Sequence, residues 1–246
     1  MTEEKKEKVN EVKKTSPKET NFKIDINEMV KAGLNFGHRT SRLHPKMSPY
    51  IEGIKNTVHV IDLAKTAQEL GKALKFIQEI VVQDKVMLVV GTKIQVKELV
   101  KEIAEECDLP YVSERWLGGT LTNFPVVSQR VGYLKDLEKK KSSGEWDKYT
   151  KKEKIKMNKD LSNLKIKFDG LKKLERVPDC LLVLDIKKDD LAVKEAKMKG
   201  IKIVAITDTN TDPSLVDYPI PANDDAVSSV KYILDKIKEV IKKSKK

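Results

Sequence analysis

Three carboxylates, Asp185, Asp208 and Asp212, fall at or just past the ends of two short apolar runs, 180–184 and 201–207. Clustered carboxylates at strand ends can hold Mg²⁺, and with His38 beside them they can hold a transition metal. Asp62 is a further acid that folding can bring near. The competing reading is that each Asp caps a helix or turn. Asp208-Thr209-Asn210-Thr211-Asp212-Pro213 is full of turn formers, and Asp before Pro commonly starts a turn. Other enzyme chemistry has no motif. Gly91-Thr92-Lys93-Ile94 follows an apolar run but is neither GxGxxG nor GxxxxGK[ST], and there is no GxSxG. Cys107 and Cys180 stand far apart with no CxxC, as suits small core side chains in a reducing compartment. His38, His44 and His59 form no HxH or HxxxH pair, and His59 alternates with Val58 and Val60 as a strand residue does.

A second set of residues suits phosphate and base recognition. Within 38–50, Arg39, Arg42, His44, Lys46 and Tyr50 supply guanidinium, imidazole, ammonium and phenol, with Lys55 close behind. Arg can fork two hydrogen bonds onto a phosphate or stack on a base, and Lys supplies a point charge. Tyr and His rings can stack on unpaired bases, the usual way folded RNA is read. Pro45 and Pro49 stiffen the segment, which reads as strand-free, and they lower the entropy lost on ordering. Arg115 next to Trp116 adds a cation, with Trp116 itself the better core anchor. Arg130, Lys135, Lys139, Lys148, Lys151, Lys152 and Lys165 are candidates for backbone phosphates.

The charge is distributed to match. The chain has 246 residues, 49 basic and 38 acidic, for a net +11. Four segments (1–23, 38–55, 130–176 and 231–246) together carry +18, which leaves −7 on everything else. A mildly acidic body with cationic appendages is the pattern of a polyanion binder. Lysine bias works against over-reading it, since only five of the 49 are Arg. Apolar stretches such as 86–90 are strand length, far short of the roughly 18 residues of a membrane span, and the Met-Thr-Glu-Glu-Lys-Lys start has no apolar signal region.

The elements that must position these groups follow from periodicity. Residues 1–21 are too polar to bury a core and read as a flexible arm. Residues 24–34 read as a helix with Asn27 as cap. Asn56-Thr57 reads as a hairpin turn. Asp62 caps a long helix with Leu63, Ala67, Leu70, Leu74 and Ile77 on one stripe. Continuous apolar runs alternating with amphipathic helices, from Val86 and again from Cys180, predict a three-layer doubly wound α/β body with a mainly parallel sheet, flavodoxin- or Rossmann-like. That body spans 22–123 and 178–246. Residues 124–177 break the rhythm. Val127, Val131 and Leu134, then Met157, Leu161, Leu164, Phe168 and Leu171, space as two arms of an inserted antiparallel coiled-coil hairpin around Ser142-Ser143-Gly144.

Three stretches carry a family resemblance. Phe36-Gly37-His38-Arg39-Thr40 through Pro45-Lys46-Met47-Ser48-Pro49-Tyr50-Ile51 is similar to an FGHxTxxxxPKMxPYI pattern. Arg115-Trp116-Leu117-Gly118-Gly119-Thr120-Leu121-Thr122-Asn123 is similar to RWLGGxLTN. Asp208 through Ala226 is similar to DTNxDPxxVDxxIPxNDDA. In this order and spacing they resemble the bacterial-type small-subunit ribosomal protein S-two family (universal uS-two), from about residue 24 to about 240. The arm at 1–21 is longer than the family's usual start. The resemblance implies a non-catalytic constituent of the small ribosomal subunit that binds its ribosomal RNA near the head–body junction and neighbours other small-subunit proteins. It also implies help in docking protein S-one where that is present; residence in the cytoplasm is expected, and no cofactor other than a structural metal ion at the strand-end carboxylates. A nucleotide- or Mg-dependent α/β enzyme using the strand-end carboxylates is the alternative.

Overall fold

The computed structural model describes residues 22 and 24–245; the arm expected at 1–21 lies outside them. Helix α1 (Ile26–Ala32) is capped by Asp25, whose carboxylate accepts from the Asn27 N–H at 2.8 Å, so the cap sits two residues before the Asn27 that the sequence suggests. Gly33 ends the helix at φ 77°, a left-handed conformation open to glycine. Next comes β1 (Phe36–Arg39), in a segment that reads from its sequence as strand-free. Its partner is non-local, since Phe36 and Arg39 pair with Val60 and Val58 of β3, and a non-local ladder leaves little local pattern. A single 3-10 turn at Thr40–Arg42 and a six-residue 3-10 helix at Pro45–Tyr50 follow. Strands β2 (Ile51–Lys55) and β3 (Val58–Ile61) form the expected antiparallel hairpin. Both turn residues, Asn56 and Thr57, have positive φ, as a two-residue turn matched to strand twist requires. Helix α2 (Leu63–Val82) starts on Asp62, which accepts from the N–H groups of Ala64 and Lys65.

The remaining chain runs β4 (Met87–Val90), α3 (Lys97–Cys107), β5 (Tyr111–Val112), α4 (Phe124–Ser142), α5 (Lys151–Phe168), β6 (Cys180–Val183), α6 (Asp190–Met198), β7 (Lys202–Thr207), β8 (Tyr218–Pro221) and α7 (Val227–Ser244). Five of these strands form one all-parallel sheet in the order β5-β4-β6-β7-β8. This is the flavodoxin-like winding. The chain leaves β4 toward β5 and then returns on the other side with β6, so a crevice opens between the carboxyl ends of β4 and β6.

Strand residues alternate between two apolar layers. Met87, Val89, Leu182, Val204 and Ile220 face one layer with Leu70, Leu74, Val100, Ile233 and Ile237 of α2, α3 and α7. Leu88, Val90, Leu181, Val183 and Ala205 face the other, with Ala192 and Ala196 of α6. That second layer also holds Trp116, Val127, Val131, Leu134, Leu161 and Phe168, so the seam of α4 and α5 is continuous with the sheet's own core. The two arms run antiparallel. Glu138 pairs with Lys165 at 2.9 Å, and Lys141 donates to Asn158 at 2.8 Å. The break falls at Ser143-Gly144, where Gly144 has φ 75°.

Candidate nucleic-acid interface and strand-end cluster

Two distant segments meet over the carboxyl end of the parallel sheet. The His38 N–H donates to Thr209 Oγ1 at 2.9 Å, and the His44 N–H to the Thr209 carbonyl at 2.8 Å. A Cβ on Gly37 would lie 2.4 Å from Thr209 Cγ2, so glycine is what permits the approach. Met47 plugs beneath the loop, fully buried. Lys46 Nζ reaches Asp212 Oδ2 and Ser214 Oγ, both at 2.7 Å. With that ammonium and the Ser214 donors on it, the Asp212 carboxyl is held well below the usual carboxylate range. Lys46 and Asp212 thus serve each other, and Asp212 stands outside the candidate metal group, where Asp225 takes its place.

This docking leaves the loop's other cations outside. Arg39, Arg42 and Lys55 are exposed and make no side-chain hydrogen bond or ion pair within 4 Å among the described residues. Tyr50 is half-buried. His44 is half-buried, and its Nδ1 accepts from the Lys46 N–H at 3.3 Å.

Beneath the loop lies the crevice cluster. His38 Nδ1 is 3.2 Å from Asp208 Oδ2, and Nε2 is 3.5 Å from Asp225 Oδ2. The hydrogen bond to Asp208 is the main reason the His38 imidazole titrates above its ordinary value. Lys93, just past β4, inserts its ammonium among Asp225 (2.7 Å), Asp224 (2.8 Å) and Asp185 (3.1 Å). Burial, followed by the nearby Asp185 and Asp208 charges, pushes the Asp224 carboxyl up to about 7. Sequence reasoning finds His38, Asp185 and Asp208 but misses Lys93, Asp224 and Asp225. The signal for Lys93 is its place directly after Gly91-Thr92 at a strand end. The adjacent Asp224-Asp225 pair stands near the end of the Asp208–Ala226 stretch.

A third construction carries the entry to the hairpin. Glu195, buried on α6, accepts from Trp116 Nε1 (3.1 Å) and from the backbone N–H groups of Gly119 (2.8 Å), Leu121 (2.9 Å) and Thr122 (3.2 Å). Burial opposes ionisation here, yet the donors together hold the Glu195 carboxyl below its usual value. Gly119 has φ 92°, which only glycine adopts freely. Trp116 is therefore a buried anchor, and its neighbour Arg115 is exposed. Sequence reasoning does not single out Glu195, since nothing local marks a helix residue whose partners lie some 75 positions earlier.

On the hairpin, Arg130, Lys135, Lys139, Lys148, Lys151 and Lys152 are exposed, and none makes a side-chain hydrogen bond or ion pair within 4 Å among the described residues, whereas Lys165 is spent on Glu138. Arg115 lines a cavity of about 320 Å³ between the body and α5, together with Lys101, Lys165 and Lys167.

Comparison with known proteins accounts for this arrangement. A family model described as Ribosomal protein S2 matches residues 29–244. The chain is 45% identical over 218 residues to the small ribosomal subunit protein uS2 of Dictyoglomus turgidum, covering 89% of each chain. It is 46% identical over 214 residues to that of Roseiflexus castenholzii, covering 87% of this chain and 81% of the other. It is also 46% identical over 218 residues to uS2c of Rhodomonas salina, covering 89% and 90%. The segments that the fold joins over the sheet end, and the turn that Glu195 holds, all lie inside the matched span. By extent and identity, the chain belongs to the ribosomal protein S2 family, which is structural and not enzymatic.

Proposed function

We propose that this protein is a structural constituent of the small ribosomal subunit, working in the cytoplasm, that holds small-subunit ribosomal RNA through Arg39, Arg42, Lys55, Arg115, Arg130, Lys135 and Lys139. Tyr50 and His44 offer rings to unpaired bases at the same edge, and Lys46 holds the loop in shape. Neighbouring small-subunit proteins, with protein S-one where present, are its protein partners. The observation that carries this reading is the division of labour among the charges. The buried carboxylates already share an internal ammonium, while Arg39 and Arg42 are exposed and make no hydrogen bond or ion pair within 4 Å among the described residues, Arg42 acting on Asp225 only through its charge at longer range. The body at 22–123 and 178–246 acts as the platform and 124–177 as the cationic limb. Against the enzyme alternative stands the family itself, which is structural and not enzymatic.

The test is binding of a small-subunit ribosomal RNA transcript by filter retention across salt concentrations. Every phosphate left without its cation should lower the slope of log K against log salt by about 0.7 to 0.9. Arg39→Ala with Arg42→Ala should weaken binding at least tenfold and flatten that slope. An unchanged affinity and slope would remove the loop from the interface.

A further inference from the structure

The cavity of about 320 Å³ between the body and α5 is bordered by polar groups that leave one another free. The edge strand β5 and the residue after it supply Tyr111 and Ser113. Tyr111 is half-buried and Ser113 is only 5% exposed. Neither hydroxyl has a hydrogen-bond partner among the described residues. Gly170 closes one side. A Cβ there would lie 2.2 Å from the Tyr111 carbonyl oxygen and 2.8 Å from Cδ2 of its ring, so glycine is what lets the hairpin's base approach this ring. At the rim, Lys101 is 3.5 Å from Glu114 and Lys165 is 2.9 Å from Glu138. Arg115, Lys167 and Glu105 are exposed and make no side-chain hydrogen bond or ion pair within 4 Å among the described residues. Two free cations and one free carboxylate therefore border the same space.

We propose that this cavity binds one unpaired guanine nucleotide, with its phosphate on Arg115 and Lys167, its base against Tyr111 and its Watson–Crick edge on Glu105. The proposal deepens the RNA-binding reading above and rests on it for the strand that supplies the nucleotide. Small-molecule sites run upward from about 300 Å³, so this cavity has room for a single nucleotide and none for a helix. Strand β5 has only two residues, which leaves little ladder for an added peptide strand. Arg forks hydrogen bonds onto phosphate oxygens. Unpaired bases are held by stacking on aromatic rings and by hydrogen bonds along their edges. Burial, then the Asp169 and Glu105 charges, pushes the Tyr111 hydroxyl up, so the ring stays neutral and keeps its O–H as a donor. The idle Ser113 hydroxyl can donate or accept. Glu105 sets the choice of base, because a carboxylate offers acceptors alone. Guanine carries N1–H and N2–H side by side, matching both oxygens. Uracil places one N–H between two carbonyls, which a carboxylate repels.

The full chain is titrated in a calorimeter with 5′-GMP and with 5′-UMP. One saturable site for GMP is expected, at least tenfold tighter than for UMP, as a two-bond base contact provides. Arg115→Ala should weaken GMP binding at least tenfold. Glu105→Gln should reduce the preference for GMP to less than threefold while UMP binding stays as it was, a split that a merely structural role would not produce. Both side chains are exposed, and circular dichroism establishes that each variant is folded. Lys75→Ala, an exposed cation on α2, should change nothing. An RNA pentamer of four uridines around one guanosine separates the two sources of the ligand: tighter binding than GMP assigns the site to an RNA strand, and weaker binding assigns it to free nucleotide. No saturable GMP binding, the result of a cavity built for a peptide, overturns the proposal. So does equal affinity for GMP and UMP, or GMP binding unaltered by Arg115→Ala and Glu105→Gln. Any of these, beside transcript binding that keeps its salt slope, removes the pocket alone and leaves the RNA-binding reading standing.

Discussion

Glu195 does more for this molecule than its exposure suggests, because one carboxylate accepts from five donors at the turn leading into α4 (the Trp116 indole, the N–H groups of Gly119, Leu121 and Thr122, and the Thr122 hydroxyl), of which the Trp116 and Leu121 donors are fully buried. Hydrogen bonds to a charged group are each worth roughly 1.5 to 3 kcal/mol, and orphaned donors cost a comparable amount. Glu195→Ala is expected to destabilise the protein by about 3 kcal/mol, read as a shift in urea midpoint. Glu195→Gln keeps the shape but loses the charge. The carboxyl titrates lower in the folded protein than its unfolded value of roughly 4.3, so its contribution is complete above that pH and drains away as pH falls through the depressed folded value. The stability gap between wild type and Glu195→Gln should therefore be widest at neutral pH and close below about pH 4. A gap that stays constant from pH 6 to pH 3 would mean that the ionised form has no special role. At the same scale, Gly37→Ala forces a methyl into Thr209 and should loosen the loop over the sheet end, increasing hydrogen exchange at the His38 amide.

Helices α4 and α5 show how an element reads one way alone and another way in place. Their apolar spacing is legible at 127, 131 and 134 and again at 161 and 168, and the structure seats all five in one seam. The spacing does not reveal that the seam joins the sheet's second face, because sequence periodicity reports which side of a helix is apolar, not what covers it. Leu134 is fully buried there. Leu134→Ala is expected to cost about 2 to 5 kcal/mol, set by how far the cavity collapses. A smaller loss, close to 1 kcal/mol, would mean that the arms are propped only against each other. Trp146 is the other surprise, a buried side chain at the hairpin tip with Lys141 above its ring at 5.6 Å. Strand β1 escapes the sequence for a related reason. Its ladder partner lies some 20 residues on, and Phe36-Gly37-His38-Arg39 has no alternation to announce it.

At the scale of the whole molecule, the cationic residues sit on loops and a hairpin around a sheet whose carboxyl end concentrates acid. Removing 124–177 and rejoining the chain with a short glycine linker tests whether the limb is separable. The seam covers Leu88, Val90, Leu181 and Val183, so the excised protein should expose that face and self-associate, detected by light scattering. A monodisperse, fully folded product would show that α6 alone covers the face.

What the amino-acid order determined by itself was local and periodic. Continuous apolar runs marked buried parallel strands, 4-3 spacing marked the helices and the hairpin, and the charge partition marked cationic appendages on an acidic body. What only the tertiary structure decided was which polar groups use each other up. Lys46 and Asp212 are far apart in sequence, as are Lys93 and Asp224, and Trp116 and Glu195. A charge pattern counts ions without pairing them, because pairing depends on groups that chain folding alone brings within 3 to 4 Å of each other. For that reason Arg39 and Lys46, seven residues apart and alike in sequence, emerge with opposite roles: one faces solvent, and the other holds the loop down.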